Sequence, residues 1–304
     1  MDSRTDGQRR PLVFVTGVRG FTGRHLKLEL LEHGYSVVGA IIGAPPGPDD
    51  VAMDLADPAS VRAAVRQLRP DYVIHLAAIS FVLHQPEIDF YRVNVLGTLH
   101  LVDALAELPD PPKKTLIASS ANVYGNAARS PIDEDTPPAP VNHYAASKLA
   151  MEHLVRARFE RLPMVITRPF NYTGVGQGEQ FLVPKVVSHF RRRAAVLELG
   201  NLDIARDFSD VRTVVRAYRK LLEAPAASEI LNVASGVATS LRELLDMLVA
   251  QSGHQIEVRV NPRFVRASEV RFLVGDARRL QAHVGALDSI PMVETLRWML
   301  ERCV

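Results

Sequence analysis

Tyr144 and Lys148 stand one helical turn apart in the stretch Tyr144-Ala145-Ala146-Ser147-Lys148. On a helix such a pair shares a face, which lets an ammonium favour the phenolate form of a phenol whose reference pKa is about 10. That is an acid–base device, able to pass a proton to a carbonyl oxygen. The spacing alone also occurs on solvated helices, and its weight comes from what precedes it. Near the N-terminus lies Thr16-Gly17-Val18-Arg19-Gly20-Phe21-Thr22-Gly23, and between the two lies Ser119-Ser120-Ala121-Asn122-Val123-Tyr124-Gly125. A glycine-rich turn, a serine pair and a Tyr/Lys pair, in that order, read as a dinucleotide enzyme with a Ser/Tyr/Lys active site.

The glycines at 17, 20 and 23 follow G-x-x-G-x-x-G, a departure from the generic G-x-G-x-x-G dinucleotide pattern. Glycine permits the tight turn and a close backbone approach to a pyrophosphate, and the helix that follows supplies N–H groups and a dipole. An NAD site usually carries an acid at the end of the second strand. Here that place reads Ala40-Ile41-Ile42-Gly43, and Asp49 and Asp50 lie beyond a Pro/Gly loop. Arg19, inside the turn, is able to reach a 2′-phosphate bidentately. NADPH is therefore the expected cofactor, with NADH as the alternative.

These groups need a scaffold. Leu12-Val13-Phe14-Val15 reads as a buried parallel strand before the glycine turn. A helix from Arg24 to His33 is closed by Gly34, and a strand follows at 37–42. Ala44 to Asp50 reads as a loop, Pro58 to Leu68 as a helix, and 72–78 as a strand ending in His75-Leu76-Ala77-Ala78. Helix is expected from Phe90 to Glu107, strand at 115–119, helix from Tyr144 to Arg161 and strand at 164–168. This alternation predicts an α/β fold, a doubly wound parallel Rossmann sheet, with a smaller C-terminal substrate-binding domain. After Pro169 the alternation stops. Asn171 to Gln180 reads as loop, 181–193, 212–223 and 241–252 as helices, and 230–233 as a strand. The expected division is a cofactor domain at 1–170 with 205–235 returning to it, and a sugar-nucleotide domain at 171–204 and 236–304.

The 304 residues are 47% hydrophobic and 23% charged with a net charge of +2, an ordinary balance that does not call for a nucleic-acid partner. Arg191-Arg192-Arg193 reads as a solvated helix face. The single cysteine, Cys303, rules out an internal disulfide and a multi-cysteine metal site, and fits a reducing cytoplasm. The apolar run at 12–15 is too short for a membrane span. His75, His84, His100, His143 and His153 lack ligand spacing, so no metal is expected, and His75 reads as a packed strand residue.

Taken together, the motifs resemble the extended short-chain dehydrogenase/reductase family. Alongside the glycine turn and the Tyr/Lys pair stand His75-Leu76-Ala77-Ala78, Asn94-Val95-Leu96-Gly97-Thr98, Arg168-Pro169-Phe170-Asn171, Arg206-Asp207-Phe208-Ser209-Asp210-Val211 and Asn232-Val233-Ala234-Ser235-Gly236. Two segments, 168–177 and 261–270 with Gly275-Asp276-Ala277, resemble the GDP-sugar branch, its 4,6-dehydratases and its 4-keto-6-deoxy-mannose reductases. The resemblance implies that Ser120 is the catalytic hydroxyl, Tyr144 the acid–base phenol, and Lys148 the residue that lowers the Tyr144 pKa and binds the nicotinamide ribose. It implies Asp54 and Leu55 at the adenine and Leu76, Ala77 and Ala78 along the cofactor. Ser80, Ser120 and Asn122 would line the sugar. Asn171, Lys185, Arg206, Arg266 and Glu269 would hold the GDP part. Tyr124 stays open between core and sugar contact. A homodimer is implied through the helices at 89–108 and 144–161.

A 4,6-dehydratase of this type needs an acid two residues before the Tyr124 position, and a combined epimerase–reductase uses a cysteine there with a downstream histidine. Here Ala121 and Asn122 occupy the place, and an amide does no proton transfer. Reduction of the C4 ketone of a GDP-4-keto-6-deoxy sugar, hexose or heptose, is what remains. The alternatives are a nucleotide-sugar 4-epimerase with tightly bound NAD and, from another class, a non-catalytic sensor.

Overall fold

The structure, a computed structural model, describes residues 9–302 except 44, 265–269 and 271. The chain opens with β1 (Leu12–Thr16), α1 (Phe21–Glu32), β2 (Ser36–Ile41), a short β3 (Asp50–Ala52), α2 (Pro58–Leu68) and β4 (Tyr72–His75). A single turn α3 (Ile88–Phe90) runs into a π-helical segment, Tyr91–Gly97, and then α4 (Thr98–Ala106). β5 (Lys114–Ala118), a 3-10 turn at Ala121–Tyr124, α5 (His143–Arg156) and β6 (Met164–Pro169) complete the alternation. Then come β7 (Asn171–Thr173), α6 (Leu182–Arg191), β8 (Val196–Leu199), β9 (Ala205–Asp210), α7 (Val211–Glu223) and β10 (Glu229–Val233). β11 (Ala238–Ser240), α8 (Leu241–Ser252), β12 (Glu257–Val260), β13 (Phe272–Leu273), α9 (Arg278–Val284) and α10 (Met292–Arg302) finish the chain.

Local chemistry sets several of these ends. Asp57 caps α2 by accepting from the Ala59 amide, with Pro58 at the first helical position. Ser240 and Glu243 form a reciprocal capping box at α8, which stops at Gly253 in the left-handed region. Asn142 caps α5 through the Ala145 amide and so fixes the turn that carries Tyr144.

Seven strands form one parallel sheet in the order β10-β6-β5-β4-β1-β2-β3. Strands buried on both faces read as near-continuous apolar runs, as Val13, Phe14 and Val15 do. α1 and α7 cover one face through Leu26, Leu30, Val214, Tyr218 and Leu221. α2, α4 and α5 cover the other through Val61, Val65, Leu101, Leu105, Met151 and Val155. The sheet is thus doubly wound, and the strand order reverses between β1 and β4. In such sheets ligands bind at the carboxyl ends of the strands at that reversal.

A second sheet centres on β9, with β11 antiparallel, and β13 and β7 parallel to it. It packs near a third core built from α6, α8 and α10 through Val187, Phe190, Leu248 and Leu296. Two expectations change here. The stretch at 171–180 is not wholly loop, since Asn171–Thr173 pairs with Phe208–Asp210. Residues 205–210 belong to the second sheet, and the chain returns to the first only with α7 and β10.

Candidate active site

The glycine turn is held by close backbone packing. Gly17 has φ +73°, and a Cβ there would lie 2.9 Å from the Ala77 nitrogen. Only glycine suits both conditions. α1 starts at Gly20 with no side-chain cap and no acidic residue in its first turn, leaving its leading N–H groups for an anion. The residues therefore fit a dinucleotide diphosphate. Phe21 and Thr22, in the first turn, reach across to β7. Phe21 stacks on Tyr172 at 6.0 Å, and Thr22 Oγ1 shares a 2.8 Å hydrogen bond with Tyr172 Oη. His25 donates to the Val175 carbonyl at 2.9 Å and Arg24 to the Gly176 carbonyl at 3.2 Å.

A buried polar chain sets the floor. The Ala77 amide donates to Thr16 Oγ1, whose hydroxyl is 2.7 Å from His75 Nδ1. His75 Nε2 lies 2.9 Å from Thr98 Oγ1, which donates to the Asn94 carbonyl. Each hydroxyl has one proton, so His75 carries its proton on Nε2. Burial and the nearby Lys148 charge push its pKa down to about 3. The packed reading of His75 holds.

Asn94, inside the π-helical segment, accepts from the Ile79 amide and donates to the Ile79 carbonyl and to Ser147 Oγ, at 2.9, 3.1 and 3.1 Å. It ties the loop carrying Leu76, Ala77 and Ala78 to the helix carrying Tyr144 and Lys148. Ser80, one residue beyond Ile79, is exposed. π-helical turns are frequent at functional sites, and this one had no distinguishing mark in the apolar periodicity of 90–107.

Ser120 caps the 3-10 turn, its Oγ accepting from the Asn122 amide at 3.2 Å. Tyr144 faces it, and both side chains are buried. Burial raises the Tyr144 phenol to about 12, against a lowering hydrogen bond from Ser120 and with a further raising effect of Tyr172; burial, and not the lowering expected from Lys148, sets its ionisation. Lys148 donates to the Ala118 carbonyl at 2.7 Å; burial lowers its pKa to about 8, and Glu152 opposes this. Glu152, one more turn along α5, accepts from Ser119 Oγ and from Arg168. The Arg168 guanidinium lies 4.8 Å from the centre of the Tyr124 ring. Tyr124 is fully buried and donates to Asn232 Oδ1 at 2.7 Å. That settles Tyr124 as a core residue.

The stretch after β2 differs from its reading in sequence. The 44–50 loop returns at once through β3, which places Asp50 in register with Gly39 of β2. Asp50 Oδ2 accepts from Arg19 Nη2 at 2.8 Å. A carboxylate thus lies beside Gly39 of β2, carried by the neighbouring strand. A three-residue strand after Pro and Gly leaves no periodic signal in the sequence. Asp54 and Leu55 follow β3: the Asp54 carboxylate accepts from the Ala56 amide, and the Leu55 carbonyl meets His100 Nδ1.

Of the residues expected at the sugar nucleotide, Asn171 opens β7 and Arg206 lies in β9 between Thr239 and Leu273. Lys185 on α6 donates to the Glu198 carbonyl at 2.8 Å and sits 4.4 Å from the Phe264 ring centre. Asn122 is partly buried on the 3-10 turn. Arg266 and Glu269 lie outside the described residues. Among the described residues no group of three or more His, Cys, Asp or Glu is arranged to hold a metal, and no helix is long and apolar enough to cross a membrane.

Residues 13–234 match the NAD dependent epimerase/dehydratase family. The chain belongs to that family, the extended branch of the short-chain dehydrogenases/reductases. It is 35% identical to the GDP-6-deoxy-D-talose 4-dehydrogenase of Aggregatibacter actinomycetemcomitans over 88% of this chain and 89% of that one. It is 34% identical to the GDP-6-deoxy-D-mannose reductase of Pseudomonas aeruginosa over 95% of each. The solved structure of RMD from Pseudomonas aeruginosa complexed with NADPH superposes with a TM-score of 0.85 at 33% identity, covering 96% of this chain and 97% of that one. The chain is therefore an NAD(P)-binding enzyme of an oxidoreductase class.

Proposed function

We propose that this enzyme reduces the C4 ketone of a GDP-4-keto-6-deoxy sugar, GDP-6-deoxy-mannose chemistry or a heptose analogue, with NADPH preferred and NADH accepted. The observation that carries the proposal is the buried Ser120–Tyr144 hydrogen bond beside Lys148, combined with an amide, Asn122, on the same turn. Reduced nicotinamide, when bound, supplies the hydride for C4. The chain's own residues handle the oxygen. Ser120 donates a hydrogen bond to O4 and polarises the carbonyl. Tyr144 releases its proton to O4, and the Lys148 ammonium stabilises the phenolate that remains. Asn122 moves no proton, so the hydrogens on C5 and C6 stay in place.

The Gly17–Gly23 turn with Arg19 binds the adenosine diphosphate part, and Leu76, Ala77 and Ala78 flank the nicotinamide half. Asn171, Lys185 and Arg206, with Arg266 and Glu269, hold the GDP part, where guanidinium forks match phosphate oxygens. The cofactor domain is 1–170 with 211–235, and the remaining residues hold the sugar nucleotide. The chain pairs as a homodimer through the π-helical segment and α5, where Leu96 and Leu154 are exposed by 50% and 40%. The GDP-6-deoxy sugars in the names of both relatives support the substrate class.

The test is incubation of the purified enzyme with the product of a GDP-mannose 4,6-dehydratase. NADPH is consumed and a GDP-6-deoxyhexose appears by mass spectrometry. Absence of turnover on both hexose and heptose ketosugars rejects the proposal. The carboxylate at Asp50 keeps a second reading in view, a 4-epimerase with tightly held NAD, whose mark is NAD copurifying with the protein.

A further inference from the structure

β2 ends without an acid, yet a carboxylate sits beside it. Asp50 pairs with Gly39 across the β2–β3 ladder, and a Cβ built on Gly39 would lie 2.9 Å from Asp50 Oδ1. The missing side chain of Gly39 leaves a notch shared by the Val18 side chain, whose Cγ1 would lie 2.2 Å from such a Cβ, and the Asp50 carboxylate. The Gly39 amide donates to the Asp49 carbonyl at 2.9 Å, and the Asp50 amide to the Gly47 carbonyl at 3.1 Å, so the loop end is fixed from both sides. The Asp50 side chain is 15% exposed, while its partner Arg19 is 55% exposed and reaches it at 2.8 Å.

We infer that Asp50 is the residue that sets how this site discriminates a ribose 2′-hydroxyl from a 2′-phosphate. This rests on the cofactor reading above. A carboxylate at the ribose accepts a hydrogen bond from a free 2′-hydroxyl and repels a 2′-phosphate, whereas an arginine there favours the phosphate. Here the two are paired with each other. A 2′-phosphate has to draw Arg19 away from Asp50 and tolerate the carboxylate it leaves behind. A 2′-hydroxyl finds the acceptor in place and leaves the pair intact. Arg19, the more exposed partner, can turn to a 2′-phosphate and so keeps NADPH preferred, while the carboxylate it leaves behind narrows that preference, and either partner can be changed to move it. Exposed ion pairs contribute little to stability, so the pair's consequence lies in binding.

The experiment is calorimetric titration of the full-length protein with ADP-ribose and with 2′-phospho-ADP-ribose. Asp50→Asn should shift the ratio of the two dissociation constants toward the phosphorylated ligand by about tenfold or more, the effect of one charge-assisted contact. Arg19→Met should shift it by a similar factor in the opposite direction. Binding of both ligands with the Asp50→Asn ratio within about twofold of the wild type would overturn the inference and leave the cofactor reading standing. Failure of the wild-type protein to bind either ligand would remove the cofactor reading and this inference with it.

Discussion

Glu152 receives Arg168 through both arms of the guanidinium, at 2.9 Å from Nε and 2.5 Å from Nη2, and the two side chains are 2% and 4% exposed. Removing one member of a buried pair strands the other charge in a low-dielectric site, at a cost of about 3–5 kcal/mol. Glu152→Gln should lower the urea midpoint accordingly. A second change, Arg168→Met, should restore much of the loss when added to Glu152→Gln. If the double variant is no more stable than the single one, the pair is not what the packing depends on.

The same carboxylate governs the pH response of the active site. Lys148 holds its proton below about 8 and loses it above, because burial lowers its pKa while Glu152 raises it. Ketosugar turnover should therefore decline as pH rises through that value. Glu152→Gln removes the opposing pull and should move the decline to lower pH. Tyr144, near 12, remains a proton donor throughout. Tyr144→Phe should cut turnover by at least about a hundredfold while dinucleotide binding by calorimetry stays unchanged.

His75 should report acid instability. Its pKa in the fold is about 3 against an unfolded reference of about 6.5, so between these values the unfolded chain binds the extra proton. Stability then rises with pH, and it is lost as pH falls from about 6.5 toward 3. Between pH 7 and pH 5 this one group accounts for a loss of about 2 kcal/mol. Urea melts at the two pH values should show a smaller difference in His75→Gln. In the wild type, an imidazole that does not titrate between pH 5 and 8, protonated on Nε2, should appear in NMR spectra.

Asp207 clips β9 to the segments at Ser235–Gly236 and Gly275. Its carboxylate accepts from the Ser235 amide and hydroxyl, the Gly236 amide and the Gly275 amide, at 2.9, 2.6, 2.8 and 3.3 Å. Asparagine would turn an amide donor against these N–H groups, costing about 1–3 kcal/mol. Arg206 is the adjacent residue on β9, so Asp207→Asn should raise KM for the sugar nucleotide more than it lowers kcat. An unchanged KM would separate the clip from substrate binding.

What could be read in advance tracks where the determining contacts lie. α2 and α8 were expected at Pro58–Leu68 and 241–252 and are found there, because Asp57, Pro58, Ser240, Glu243 and Gly253 act on neighbours within a turn. The family and the parallel sheet were legible for a similar reason: each strand–turn–helix unit carries its own glycine or cap. β3 and β7 were missed because three residues acquire a strand conformation only from distant partners, Gly39–Ile41 and Phe208–Asp210. The helix expected from Tyr144 to Arg161 ends at Arg156. Arg158 instead turns back to hold Asp103 on α4, another contact far along the chain.

One consequence follows from the way α1 is anchored. Its first two turns grip the 172–176 strand and loop through Thr22, Arg24 and His25. Tyr172, 150 residues further along the chain, is thereby part of what holds the start of α1 in place.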